Sequence, residues 1–228
     1  VVTGTYNRHE LLLGAIENVR QQTYRPLEMS TVADGPDDEL PAVSATIGYD
    51  QWSYPGVVRT SNPHDPIIRF VELGFWASGL LTNSTSAAPF MVAQLLARGD
   101  YQMWLADDER MLVPDHIERL VDLLEQYEAD FAYPRVEMWR EGSDHRFVIG
   151  TNPPQSGQFT HCLYRREALD RGALFRTHVG ANTDADALSR MVAAGCRWAF
   201  LPEVTLSHRI DKVLALGLFA GLFMQGWL

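Results

Sequence analysis

Tyr101-Gln102-Met103-Trp104-Leu105-Ala106-Asp107-Asp108-Glu109 is the stretch on which the architecture of this chain turns. The first six residues read as a buried strand, and three consecutive carboxylates follow where that strand would leave its sheet. Open α/β sheets bind their ligands beyond the carboxyl ends of the strands. Hard oxygen donors at such a place suit Mg²⁺ or Mn²⁺, which keep one or two carboxylates and give their other positions to phosphate and water. The alternative is a solvated acidic turn ahead of the helix that Pro114 opens.

Toward the N-terminus, Val1 to Thr3 begins a strand. Thr5-Tyr6-Asn7-Arg8 breaks it, and Leu11, Leu12, Ala15, Ile16 and Val19 recur at helical spacing from about Glu10. A second strand, Leu27 to Ala33, ends at Asp34-Gly35-Pro36, where Gly and Pro mark a turn. Strand, helix and strand within about 30 residues make a βαβ unit, whose right-handed crossover sets the two strands parallel. The loop between strand and helix offers backbone N–H groups to an anion or nucleotide. Residues 37 to 83 hold Trp52, Tyr54 and several prolines and read as long loops around a short strand at Val57-Val58-Arg59-Thr60.

Toward the C-terminus, Phe90 to Ala97 reads as a helix stopped at Gly99. His116 to Glu125 is an amphipathic helix with Ile117, Leu120, Val121 and Leu124 on one face. Phe131-Ala132-Tyr133-Pro134 and Val136 to Arg140 read as two strands, and a Pro/Gly loop over 150 to 157 leads to a strand at Gln158 to Tyr164 and a helix at Arg165 to Leu169. Thr183 to Ala194 opens a helix with acids and closes it at Gly195. Arg197 to Glu203 is a strand, and Val204 to Arg209 carries His208. Residues 213 to 228 are apolar and uncharged, about 24 Å long as a helix and so short for a bilayer. They read as a helical tail that covers core, meets a second copy or touches a membrane.

The 228 residues are 46% hydrophobic, enough to bury a large core in one α/β domain. We divide it into a first half at 1–110, a second half at 111–212 and the tail. A formal net charge of −10 argues against nucleic acid as the partner, which clustered Lys and Arg would serve. Cys162 and Cys196 form neither a zinc pattern nor a disulfide framework, and two reduced thiols with no basic n-region at Val1 to Thr5 point to the cytoplasm, with membrane association left to the tail.

Thr5-Tyr6-Asn7-Arg8, Ala15-Ile16-Glu17-Asn18-Val19, Gln22-Thr23-Tyr24 and the strand ending at Asp34-Gly35 resemble, in this order, the N-terminus of inverting family 2 glycosyltransferases with the GT-A fold, whose wording there is close to T-Y-N-R, A-I-x-S-V, Q-T-Y and D-D-G-S. The likeness continues at Ser86-Ala87-Ala88, at Ala97-Arg98-Gly99-Asp100-Tyr101 and at Thr183-Asp184-Ala185-Asp186, which is similar to the family's E-D-x-D. Pro89 and Phe90 stand where the family has Arg-Asn, so a cation for the diphosphate would come from elsewhere, for instance Arg59, Arg69 or Arg165. The resemblance runs from about residue 1 to 210, with a poor middle between 37 and 83. It implies a Rossmann-like domain with a mostly parallel central sheet flanked by helices, a nucleotide-binding role for the half at 1–110 and an acceptor role for the half at 111–212.

It also implies roles. Thr5, Tyr6 and Arg8 would serve the nucleotide, Tyr6 by packing on its base, and Asp34 would accept a hydrogen bond from a pyrimidine N3–H; without the resemblance, Asp34 is as readily an Asx-turn before Gly35. Asp107 would lie near the ribose or first sugar and Asp108 would bind Mn²⁺ or Mg²⁺, with Glu109 either helping or capping the next helix. His208 would be a late metal ligand, or else an ordinary surface or core histidine. Asp184 would be the base that takes the acceptor's proton and Asp186 its competitor, both being otherwise plain N-terminal helix acids. Gln158, Thr160 and His161 would line the acceptor pocket. The expected activity is inverting transfer from a UDP- or dTDP-sugar to a hydroxyl or amine. The alternatives are a nucleotidyltransferase, which usually has a Gly-rich, Lys/Arg-bearing first loop unlike Thr3-Gly4-Thr5-Tyr6-Asn7, and an inactive sugar-nucleotide-binding module.

Overall fold

A computed structural model of the chain describes residues 1–35, 43, 56–58, 66–73, 87–154, 161–177, 179 and 183–210. The expected βαβ unit is present. Strand β1 (Val2–Thr5) is buried along its length, helix α1 (His9–Arg20) covers it with Leu12, Ala15, Ile16 and Val19, and β2 (Glu28–Ala33) returns parallel, Val2 opposite Ser30 and Thr5 opposite Ala33. Strand β3 (Gly56–Val58) runs antiparallel to β4 (Ile67–Glu72), which lies parallel to β2, so the first sheet has the order β1-β2-β4-β3. Helix α2 (Ala87–Leu96) packs on β1 and β2.

The second sheet is mixed. Its members are β5 (Tyr101–Met103), β6 (Glu109–Met111), β7 (Phe131–Trp139), β8 (Arg146–Ile149), β9 (Leu163–Arg165) and β10 (Trp198–Arg209), in the order β5-β9-β7-β10-β6, with β8 on the far half of β7. Among the described residues only β7 and β10 pair in parallel within it. A parallel bridge at Val2 and Trp104, with the Leu105 N–H donating to the Val2 carbonyl at 3.1 Å, joins the two sheets.

Two cores line the two faces. On one, α1 and helix α3 (His116–Gln126) pack against both sheets, and α3 buries the expected Ile117, Leu120, Val121 and Leu124, each contributing about 2 kcal/mol. On the other, α2 and helix α4 (Thr183–Ala193) cover Trp104, Phe131, Tyr133 and Tyr164. Here Gln94 is fully used. Its Nε2 donates to Tyr164 OH at 2.8 Å and to the Ala173 carbonyl at 2.9 Å, and its Oε1 accepts the Phe175 N–H at 2.9 Å. The Trp104 indole N–H donates to the same Tyr164 OH at 2.7 Å. A satisfied buried network of this kind fixes a unique packing, here at the residue from which the acidic turn leaves the sheet.

Several elements differ from their sequence expectation. Phe131–Trp139 is one strand through Pro134, and Trp198–Arg209 is one strand with register shifts between Leu201 and Leu206. Arg166–Leu169 is a single 3₁₀ turn, and β8 was not foreseen. Of the expected strand over Gln158 to Tyr164, residues 158–160 lie outside the described residues, His161 and Cys162 are not strand, and β9 begins at Leu163. The apolar tail lies outside the described residues, and among those described no helix is long and apolar enough to cross a membrane.

Candidate active site

The strand that leaves the seam between the sheets turns at once. Glu109 N–H closes the turn on the Ala106 carbonyl at 3.1 Å, and Glu109 Oε2 accepts the Ala106 N–H at 2.8 Å. Arg110 reaches back and donates to the carbonyls of Asp107 at 2.8 Å, Glu109 at 2.5 Å and, from α1, Leu11 at 3.2 Å. With the carbonyls of Ala106, Asp107 and Glu109 tied, the turn presents Asp107 and Asp108 toward the loop between β1 and α1.

That loop meets them with two side chains. Thr5 Oγ1 donates to Asp107 Oδ2 at 2.9 Å. Arg8 spans both acids, Nη1 lying 3.1 Å from Asp107 Oδ1 and Nη2 2.6 Å from Asp108 Oδ2. Burial pushes Asp107 up to about 6; Arg8 and Thr5 pull against this, while Asp108 and Glu109 add to it as like charges.

Glu109 begins β6 in register with His208 of β10, which sets both side chains on one face. The Nδ1 of His208, at 2.8 Å, and that of His161, at 3.1 Å, meet the same Glu109 Oε1, and the two rings lie 5.2 Å apart, edge to face. A carboxylate only accepts, so both rings carry their proton on Nδ1. Glu109 is wholly buried. Burial works against its charge, but the two imidazoles hold its carboxyl down to about 2. For His208 burial favours the neutral ring, and Glu109, then Asp108 and Asp184, raise its pKa nonetheless. The three residues can offer ligand atoms within 4.8 Å of one another. Two imidazoles and a carboxylate suit a first-row transition ion such as Mn²⁺ better than Mg²⁺, which prefers oxygen and water. The residues present therefore fit a divalent cation.

Asp184 stands in the first turn of α4, its Oδ1 accepting the Ala185 N–H at 2.8 Å. Burial raises its pKa; hydrogen bonds from the backbone and the charges of His161 and His208 oppose this. Asp186 is engaged otherwise, by Arg176 Nε at 3.0 Å and Arg190 Nε at 2.9 Å, and these guanidiniums hold its pKa down against a burial effect of opposite sign. Asp34 is buried just past β2, its N–H on the Thr5 carbonyl at 2.9 Å, with Gly35 at φ 114° after it. Tyr6 is half-buried in the first loop, and Gln158 and Thr160 lie outside the described residues. Of the cations named as substitutes for the missing family Arg, Arg69 pairs with Glu28 at the opposite end of β2, Arg165 Nη2 pairs with Glu125 at 2.8 Å, and Arg59 lies outside the described residues. The guanidinium at the acid pair is that of Arg8.

No family model matches the chain, and no curated protein does. Solved structures do. TarS of S. aureus superposes with a TM-score of 0.65 at 13% identity, over 92% of this chain and 36% of that one. TarS 1–349 in complex with UDP gives 0.62 at 14% identity, over 92% and 60%. The mannosyltransferase PcManGT from Pyrobaculum calidifontis, in complex with GDP-Man and Mn²⁺, gives 0.63 at 18% identity, over 92% and 56%. The chain has the GT-A fold. It spans less than two thirds of each of these three chains.

On the GT-A frame, the sequence-predicted residues Thr5, Arg8, Asp107 and Asp108 form one bonded group and His208 adjoins it through Glu109. Sequence reasoning understated Glu109, which caps no helix, since α3 begins only at His116. It named His161 only for the acceptor pocket and did not foresee its bond to Glu109. An acid at the end of an apolar run was a usable signal for Glu109. For His161 the sequence offered only polarity.

Proposed function

We propose that this chain is a metal-dependent glycosyltransferase that moves a sugar, with inversion, from a UDP- or dTDP-sugar to a hydroxyl or amine acceptor. The observation that carries this reading is the cluster of buried Glu109 and His161 with half-buried His208, beside the Arg8-bound pair Asp107 and Asp108 of a GT-A fold. The superposed structures with UDP, and with GDP-Man and Mn²⁺, support it as analogy of fold.

In this reading Thr5, Tyr6 and Asp34 bind the nucleoside, Asp34 as the acceptor of a pyrimidine N–H, and Asp107 binds the ribose or the sugar. Glu109, His161 and His208, with Asp108, hold the cation. A divalent cation, Mn²⁺ or Mg²⁺, supplies Lewis-acid stabilisation of the leaving diphosphate. Asp184 takes the proton from the acceptor nucleophile as it attacks the anomeric carbon opposite the leaving group. Burial, which raises its pKa, makes it a stronger base than an exposed carboxylate. Asp186, held by two arginines, is the poorer candidate. Gln158 and Thr160 remain assigned to the acceptor.

Isothermal titration of UDP, dTDP and GDP, each with Mn²⁺ and with EDTA, tests the donor half of the reading on wild type and Asp108→Ala. One pyrimidine diphosphate is expected to bind only with Mn²⁺ and to lose at least about tenfold in the variant. Asp184→Asn is expected to keep that binding while donor turnover falls by about 10²- to 10⁴-fold. Binding that ignores metal and Asp108 overturns the assignment, and metal-dependent binding with no turnover across a donor panel makes the chain a sugar-nucleotide-binding module.

A further inference from the structure

Asp108 has one hydrogen-bond or ion-pair partner among the described residues, and it is Arg8. The guanidinium does not fork onto a single carboxylate. It bridges two, one nitrogen to Asp107 and one to Asp108. The acids are buried, with side chains 2% and 8% exposed, while Arg8 is 35% exposed and so lies at the mouth of the cleft. Its backbone is anchored by the Leu12 N–H, which donates to the Arg8 carbonyl at 2.9 Å at the start of α1. The side chain can therefore change partners without the helix moving.

Three carboxylates, Asp107, Asp108 and Glu109, are crowded in this turn. Glu109 has its two imidazoles; the charge of Arg110 acts on the other two from nearby, but Arg8 is the cation that ion-pairs with both of their carboxylates among the described residues. Removing one partner from a buried ion pair is strongly unfavourable unless another charge replaces it. Arg8 Nη2 lies on Asp108 Oδ2, so a cation that takes Asp108 competes with the guanidinium charge, and Arg8 gives way readily only to another anion. The planar guanidinium fork matches phosphate oxygens as well as carboxylate ones.

We infer that Arg8 is an exchangeable counter-ion. In the donor-free protein it neutralises Asp107 and Asp108; when a nucleoside diphosphate arrives, Arg8 transfers to its phosphates and releases Asp108 to the divalent cation, so that cation and diphosphate bind as a coupled pair. The inference rests on the donor reading above and adds to it a direction of coupling. Binding free energies couple reciprocally, so each ligand raises the affinity for the other by the same factor, and that factor runs through one side chain.

The test is Mn²⁺ titration followed by electron paramagnetic resonance of the free aquo ion, with and without UDP, on wild type, Arg8→Gln and Arg8→Lys. With Arg8 gone, Mn²⁺ alone is expected to bind about tenfold tighter than in wild type, because no guanidinium competes for Asp108, while the enhancement by UDP shrinks by a similar factor. The lysine variant, which keeps the charge but meets one acid at a time, is expected between the two and serves if the glutamine variant melts early by circular dichroism. Arg8→Gln and Arg8→Lys binding Mn²⁺ no tighter than wild type, while wild type binds Mn²⁺ with UDP, overturns the inference and leaves the donor reading standing. Wild type that binds neither Mn²⁺ nor UDP overturns both.

Discussion

Asp107 and Glu109 sit two residues apart, both buried, and titrate in opposite directions. Asp107 ionises near 6 in the folded donor-free protein against 3.8 in the free chain. The folded state therefore holds more protons between those values, and stability falls as pH rises through that window. Glu109 ionises near 2 against 4.5, so its contribution is present above pH 4.5 and is lost as pH falls toward 2. Asp107→Asn is accordingly expected to stabilise the donor-free protein at pH 7.5 by about 2 to 3 kcal/mol, or about 5 °C in Tm by calorimetry, with the gain gone at pH 4. Glu109→Gln is expected to do the reverse, lowering Tm at pH 7 and ceasing to matter near pH 2. Equal shifts at both pH values would contradict the ionisation argument. The carboxylates were legible from sequence because three in a row after an apolar run is a local pattern. Glu109's chemistry was not, because His208 lies 99 positions away and only the β6–β10 register brings it close.

Helices were read well where one face alone is apolar, as in α3, since that pattern is complete within a few turns. Strands were read less well because their limits depend on neighbours. Pro134 looked like a break, yet it falls between the part of β7 that pairs with β9, ending at Ala132, and the part that pairs with β8, beginning at Val136. A residue without an N–H is tolerated at such a gap, and the strand continues. On β10, Pro202 and Glu203 drop out of register with β7, a bulge that re-aims the chain before His208. The departure at Pro89 and Phe90 is likewise a matter of packing. Both are buried, and a Cβ at Gly4 would lie 2.9 Å from the Phe90 ring. Gly4→Val should overpack the contact between β1 and α2 and lower stability by about 1 to 3 kcal/mol in urea. An unchanged midpoint would mean that α2 can shift aside.

Across the whole molecule, the first sheet and its loops supply Thr5, Arg8 and Asp34, the residues proposed for the nucleotide side, and the second supplies Glu109, His161 and His208. The order of motifs along the sequence announced the first half because its βαβ unit is contiguous. The second assembles from segments spread over a hundred residues and was legible only in pieces. Among the described residues the two halves join in backbone at a narrow seam, the bridge of Val2 and Trp104 with the Leu105 N–H on the Val2 carbonyl, just before the acids begin. A ligand reaching from Asp34 to Glu109 would lie across that seam like a splint across a joint. Deuterium exchange at the Leu105 amide should then slow on adding UDP and Mn²⁺, while amides in the middle of β7, which open only with the whole fold, change less. The small gap between two sheets thereby becomes a gauge of whether anything has bridged them.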